Sequence, residues 1–181
     1  REVERRVGSP GFQGEAQELL LAIPEHKVRL PGGRSESQND VFALVRIGDM
    51  TVSVAVEGKV NEPFGPTVGQ WLTDASPGKR ERMAFLCGTL GISNPPPADI
   101  HYQLLHRTAS AIIEAERFKT DAAAMIVHSF SPERIWFDAF DRFTGLYGHS
   151  IKPGQLVEVS PPTGMPLFLG WACGDPRFLG A

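Results

Sequence analysis

The sequence predicts an α/β protein in which a central mixed sheet lies between helices, a three-layer α-β-α arrangement. Three observations predict it: a tight hairpin over 40–60, a long amphipathic helix after it, and a continuous apolar run at 122–127. A hairpin that continues through a helical crossover into a strand buried on both faces gives a sheet with antiparallel and parallel pairs. The chain has 181 residues, which suits a single domain with a substantial core.

The first part of the chain is predicted to contain a flexible segment and then a helix. Residues 1–13 are charged and contain Gly and Pro, which indicates a poorly ordered terminus. From Glu15 a short helix is predicted, and Pro24 ends it. The apolar residues at helical spacing are Ala16, Leu19, Leu20 and Ile23. A short strand over 27–30 and a Gly-containing loop follow.

The hairpin is the most informative segment, because its turn fixes the register of both strands. Gly48-Asp49 suits a two-residue type II′ turn, which favours Gly at its first position. Ile47 is then expected to pair with Met50, and counting outward Val41 pairs with Val56.

This register predicts that two acidic side chains meet. Asp40 would lie opposite Glu57, with Lys59 two residues further along the same face. Opposed carboxylates are destabilising unless something compensates their charge. A divalent cation or the Lys59 ammonium group would do so. A lone Glu-x-Lys triplet is also common on solvent-facing strands, where it forms an ordinary salt bridge.

The remaining elements follow from capping residues and apolar periodicity. Ser76 and Pro77 are typical of a helix N-terminus, and Asp99 is expected to cap the long helix. The predicted elements are helices over 77–90, 100–118 and from 131 onward, a buried strand over 122–127, and short strands near 156–159 and 167–172.

Composition and charge exclude few classes of protein. The net charge of −3 and a pI of about 6.0 show no global basic excess of the kind that indicates nucleic-acid binding. These values do not exclude a local basic patch. No apolar run is long enough to span a membrane, and no signal-peptide pattern is present. The two cysteines fit no metal spacing and are expected to be free thiols in a reducing compartment. A cytoplasmic protein is therefore the expectation.

The order of elements, with an acid opening the second strand and Glu-x-Lys closing the third, resembles the PD-(D/E)XK nuclease superfamily. Its restriction-endonuclease-like core has the order α-β-β-β-α-β. Residues of about 14–130 carry the match, which leaves 131–181 as a C-terminal extension with a helix and short strands. The hairpin and the segment 102–107 are also similar to an uncharacterised bacterial family within that fold.

The resemblance implies roles for the residues of the hairpin. Asp40 and Glu57 would hold Mg²⁺ or Mn²⁺, and the Gly58 carbonyl would be a further ligand. Lys59 would lie near the attacking water and the scissile phosphate. The position of the motif's proline is occupied by Asn39.

Other positions match the superfamily pattern less fully. Gln103 resembles a glutamine that some members carry near the start of the crossover helix. Their usual tyrosine four residues later is Arg107 here. The glutamate that many members use from the first helix would be Glu15 or Glu18. The alternative for these four helical residues is that they have no role at the site and lie on ordinary solvent-exposed helix faces.

Two functions therefore stand as expectations. The first is a metal-dependent phosphodiester hydrolase, a nuclease acting on DNA more readily than on RNA, and working as a homodimer where it cuts a duplex. The second is a non-catalytic binding or assembly module on the same fold, because a fold does not fix function.

Overall fold

The computed structural model describes residues 15–175 and 177–178, so the predicted flexible segment 1–13 lies outside the described residues. The described elements are six strands and four helices. In chain order they are β1 (Gln17–Val28), β2 (Ser37–Ile47), β3 (Met50–Lys59), α1 (Val68–Leu72), α2 (Pro77–Leu90), α3 (Tyr102–Phe118), β4 (Ala122–Ser129), α4 (Phe137–Gly145), β5 (Leu156–Val159) and β6 (Leu167–Cys173).

The strands form one mixed sheet in the order β1-β2-β3-β4-β6-β5. The first three strands are antiparallel neighbours, whereas β4 is parallel to both β3 and β6. The α/β class and the mixed sheet are therefore confirmed. The predicted C-terminal extension supplies β6, which lies beside β4 and so belongs to the central sheet.

The predicted hairpin register is confirmed from the turn outward. Ile47 pairs with Met50, and the pairing continues without a shift to Val41 and Val56. Gly48 has a φ of 57°, the left-handed value that the first position of a type II′ turn requires. The turn chemistry and the run of β-branched residues therefore determined this part of the sheet.

The predicted first helix is wrong, because Gln17–Val28 is the edge strand β1. It pairs with β2 over its whole length, with one irregularity between Leu19 and Leu21. Pro24 is compatible with this strand, since an edge strand has one side on which a missing N–H breaks no ladder hydrogen bond. The spacing of its apolar residues fits a helix, but backbone pairing with the edge of β2 makes this segment a strand.

Two helix starts differ from the prediction for identifiable reasons. Helix α3 begins at Tyr102 with His101 as its N-cap, because a β-bridge between Thr67 and His101 keeps the backbone extended there. Helix α4 begins at Phe137 because Arg134 and Trp136 have positive φ values of 55° and 74°. Ser76 caps α2 as predicted, accepting a hydrogen bond from the Lys79 backbone N–H.

All four described helices contribute to one apolar cluster on one face of the sheet. It joins Leu86 of α2, Leu105 of α3 and Phe140 of α4 to Met125 and Trp171 of the sheet. A smaller cluster, whose described members all lie on the strands, occupies the other face. The three-layer arrangement therefore stays a prediction, whereas the packing of α3 against β3 and β4 positions the site described below.

No helix within the described residues has both the length and the apolar character that crossing a membrane requires.

Candidate functional site: a buried carboxylate between two cations

Glu57 is a buried carboxylate near the end of β3, with only 3% of its surface exposed. Its Oε1 atom accepts hydrogen bonds from Lys59 Nζ at 2.8 Å and from Gln103 Nε2 at 2.7 Å. Its Oε2 atom accepts a hydrogen bond from Arg107 Nε at 2.6 Å. Two cations and one amide thus compensate the desolvation of this carboxylate.

Secondary structure explains why these four side chains meet. Residues two apart on a strand share a face, so Glu57 and Lys59 both point from β3 toward α3. Residues four apart on a helix share a face, so Gln103 and Arg107 both point from α3 toward β3. Lys59 is 4% exposed and Arg107 is 8% exposed, so Glu57 and both of its cationic partners are buried, whereas Gln103 is partly exposed.

Near Asp40, the side chains of β2 do not alternate regularly between the two faces of the sheet. Ser37 and Asn39 are buried, and so is Phe42, which regular alternation would place on the opposite face. Ser37 Oγ lies 2.8 Å from His106 Nδ1 of α3, and the Phe42 ring stacks on Phe118 at the end of the same helix. The three buried residues therefore share one face, which requires a local break in alternation between Asn39 and Phe42.

Asp40 lies within this break. The β2–β3 register ends at Val41 and Val56, so it does not extend to the predicted pair of Asp40 and Glu57. Instead, Asp40 Oδ2 accepts a hydrogen bond from the Gly58 backbone N–H at 2.7 Å. The structure thus brings Asp40 to the residue beside Glu57.

An open cavity of about 480 Å³ gives access to this network. Lys59, Gln103 and Arg107 line one side of it, and the loop after β3 lines the other. Lys59 Nζ lies 5.1 Å from the centre of the Phe64 ring on that loop, within range of a cation–π contact. The cavity therefore gives ligands access to Lys59, Gln103 and Arg107, the three residues that surround the buried Glu57 carboxylate.

His106 adds a neutral polar group to the same wall. Burial, together with the nearby positive charges of Arg107 and Arg82, lowers the pKa of His106 to about 3. The imidazole is therefore uncharged at neutral pH. Sequence reasoning found no role for His106 or for Ser37, because their contact joins residues that are 69 positions apart and no local pattern marks it.

The two glutamates expected from a first helix lie elsewhere. Glu18 is on β1 opposite Arg46, and the two side chains form an ion pair at 3.0 Å near the hairpin turn. The Glu15 side chain lies beside Gly48 of that same turn. Because Glu57 is at the other end of the hairpin, neither glutamate contacts the network around it.

Metal-binding capacity can be judged from the same groups. Within residues 15–175 and 177–178, no cluster of three or more His, Cys, Asp or Glu side chains is positioned to hold a metal ion. Both oxygen atoms of Glu57 already accept hydrogen bonds, and Asp40 Oδ2 accepts one from the Gly58 backbone N–H. Gln103 Oε1 is buried and has no hydrogen-bond partner, so an unpaired acceptor lies near the Glu57 carboxylate.

Comparison with known proteins gives a family without an assigned activity. No curated protein and no solved structure matches the chain. The family model described as a domain of unknown function, DUF6946, matches residues 2–176, and the chain therefore belongs to that family.

Proposed function

We propose that the protein is a metal-dependent phosphodiester hydrolase that acts on nucleic acid, with DNA as the first substrate to test. The observation that carries the proposal is the hydrogen-bonded network of Glu57, Lys59 and Gln103, of which Lys59 and Gln103 line an accessible cavity. Glu57 and Gln103 lie 46 positions apart in the sequence, and the resemblance to the PD-(D/E)XK superfamily implies the same chemistry for both.

The donor atoms suit a hard divalent cation. Mg²⁺ and Mn²⁺ prefer carboxylate and carbonyl oxygens, and Mg²⁺ keeps several of its waters. Asp40, Glu57 and the Gly58 carbonyl would hold the cation, and the unpaired Gln103 Oε1 offers an acceptor for one of its waters. When bound, such a cation polarises a phosphoryl oxygen and lowers the pKa of a coordinated water.

Lys59 is the residue of this chain that would act on the phosphate. Its ammonium group is buried and held 2.8 Å from Glu57 Oε1, so its position is fixed before any substrate arrives. A fixed cation stabilises the negative charge that develops on a phosphate under attack, because the protein need not reorganise during the reaction. Arg107 holds the opposite oxygen of Glu57 and thereby orients the carboxylate.

Replacing Lys59 with alanine is expected to lower the rate of Mg²⁺- or Mn²⁺-dependent DNA cleavage at least about 100-fold. Glu57 keeps Gln103 and Arg107 as partners, so the variant should stay folded. Cleavage of plasmid DNA and of a labelled single-stranded oligonucleotide would be followed on gels, with circular dichroism as the check on folding. Lys152→Ala, which removes an exposed lysine, is the matched control and should cleave normally. Equal rates in both variants would remove Lys59 from the mechanism.

A second candidate is the non-catalytic binding or assembly module. Arg107 favours it, because Glu57 already has two cationic partners and therefore little need of a metal. This candidate predicts that Mg²⁺ leaves the melting temperature unchanged. The hydrolase instead predicts a metal-induced rise that Asp40→Asn reduces, since a ligand that binds only the folded state stabilises it by RT ln(1 + [L]/Kd).

A further inference from the structure

A second cavity of about 270 Å³ adjoins the first one. Tyr102, His106 and Glu36 line both cavities, so these residues form the wall between them. The second cavity is lined in addition by Arg82 and Lys79 of α2 and by the glycine loop between β1 and β2. It is therefore a separate cationic site whose charged residues do not contact Glu57.

Arg82 is the most unusual residue of this cavity. It is only 7% exposed, yet in the part of the chain that the structure describes no carboxylate forms an ion pair with it. Its Nε donates a hydrogen bond to the Pro31 carbonyl at 2.8 Å, and its Nη2 donates one to the Leu30 carbonyl at 3.4 Å. These carbonyls fix the guanidinium group but carry no net charge, so its positive charge stays uncompensated.

The surroundings of Arg82 leave room for an anion. Lys79 adds a second cation, held by its hydrogen bond to the Trp71 carbonyl at 2.8 Å. A Cβ atom on Gly33 would lie 3.3 Å from Arg82 Nη2, so the glycine leaves this side of the guanidinium group uncrowded. A planar guanidinium group donates in a fork that matches the oxygen atoms of a phosphate.

Three other residues that line the cavity, Glu36, Tyr102 and His106, determine its charge balance. Burial raises the pKa of the Tyr102 hydroxyl, so Tyr102 adds no charge, and neutral His106 adds none either. The carboxylate of Glu36 is the acidic group on the wall, and it forms an ion pair with Arg29 at 3.4 Å. Two cations therefore face one carboxylate that already has a partner of its own.

We propose that this second cavity binds a phosphate group, which Arg82 and Lys79 hold. The proposal does not depend on metal binding or on phosphodiester cleavage, because none of its residues contacts Glu57. The phosphate group belongs either to the free ion or to a nucleoside monophosphate, and the test below distinguishes the two.

The test measures the melting temperature of the full chain at constant ionic strength, with sodium chloride replaced stepwise by inorganic phosphate. The wild-type protein should show a saturable rise, and Arg82→Gln should lose it. Arg80→Gln, which removes an exposed arginine from the same helix, is the matched control and should keep it. A rise of equal size in the Arg82 variant would overturn the proposal.

Two further measurements keep the test decisive if Arg82→Gln does not fold. Lys79→Gln should raise the half-saturating phosphate concentration several-fold, and an unchanged value would contradict the proposed site. A nucleoside 5′-monophosphate is compared with the matching nucleoside and with acetate. Saturation at lower concentration by the monophosphate than by inorganic phosphate identifies a nucleotide, whereas equal concentrations identify the free ion. A response to acetate or to the nucleoside as strong as that to phosphate would refute phosphate binding.

Discussion

Replacing Glu57 with alanine is expected to lower the free energy of unfolding by about 3–5 kcal/mol, the usual effect of breaking a buried ion pair from one side. The reason is that Lys59 and Arg107 are both buried and would keep their charges without a carboxylate partner. Gln103 Nε2 would lose its acceptor as well. Urea denaturation followed by circular dichroism at pH 7.5 measures the change.

The control for this prediction is another glutamate that contacts Lys59. Glu62 lies 4.0 Å from Lys59 Nζ, but its side chain is 54% exposed. Glu62→Ala should therefore cost less than about 1 kcal/mol. Adding Lys59→Ala to the Glu57 variant should recover part of the loss, because one unpaired charge disappears. If the Glu57 and Glu62 variants were equally stable, the buried network would contribute nothing to folding.

This energetic role affects how the proposed hydrolase is tested. A Glu57 variant that loses activity would not separate catalysis from folding, because the carboxylate holds β3 and α3 together through Gln103 and Arg107. Lys59→Ala leaves those two contacts in place. The lysine is therefore the more informative position for an activity assay, and the glutamate is the more informative one for stability.

Sequence reasoning succeeded where local chemistry determines structure. Gly48 and the alternating residues around it fixed the hairpin register, which placed Glu57 and Lys59 on one face, whereas Gln103 was implied only by the resemblance to the PD-(D/E)XK superfamily. The Arg107 contact follows from the same helical spacing, since it is four residues after Gln103. The face that Glu57 shares with Lys59 is determined within one strand, and the face that Gln103 shares with Arg107 is determined within one helix.

Sequence reasoning failed where contacts between distant parts of the chain determine the local structure. The spacing of the apolar residues before Pro24 fits a helix, but their backbone forms an antiparallel strand along the edge of β2. The break in alternation near Asp40 places Ser37 in contact with His106, and no local pattern indicates that contact. Arg82 lies in the charged run Lys79-Arg80-Glu81-Arg82, which has no local sign of burial, and only the tertiary fold buries it.

Acid sensitivity gives a test of the wall between the two cavities. The pKa of His106 is about 3 in the folded protein and about 6.5 in an unfolded chain. Between these values the unfolded state binds the additional proton, so stability falls as pH decreases through this window. Above pH 6.5 the imidazole is neutral in both states and makes no pH-dependent contribution. The slope approaches about 1.4 kcal/mol per pH unit, which gives a loss of about 2 kcal/mol between pH 7.5 and pH 5.

Replacing His106 with glutamine should remove this part of the acid sensitivity, because glutamine does not titrate. The free energy of unfolding of the wild type should fall by about 2 kcal/mol more than that of the variant when the pH is lowered from 7.5 to 5. His149→Gln makes the same chemical change after α4 and should follow the wild type. The carboxylates titrate in all three proteins, so the difference isolates His106. Parallel pH dependence of the wild type and the His106 variant would mean that burial and the neighbouring arginines do not lower the pKa of this imidazole.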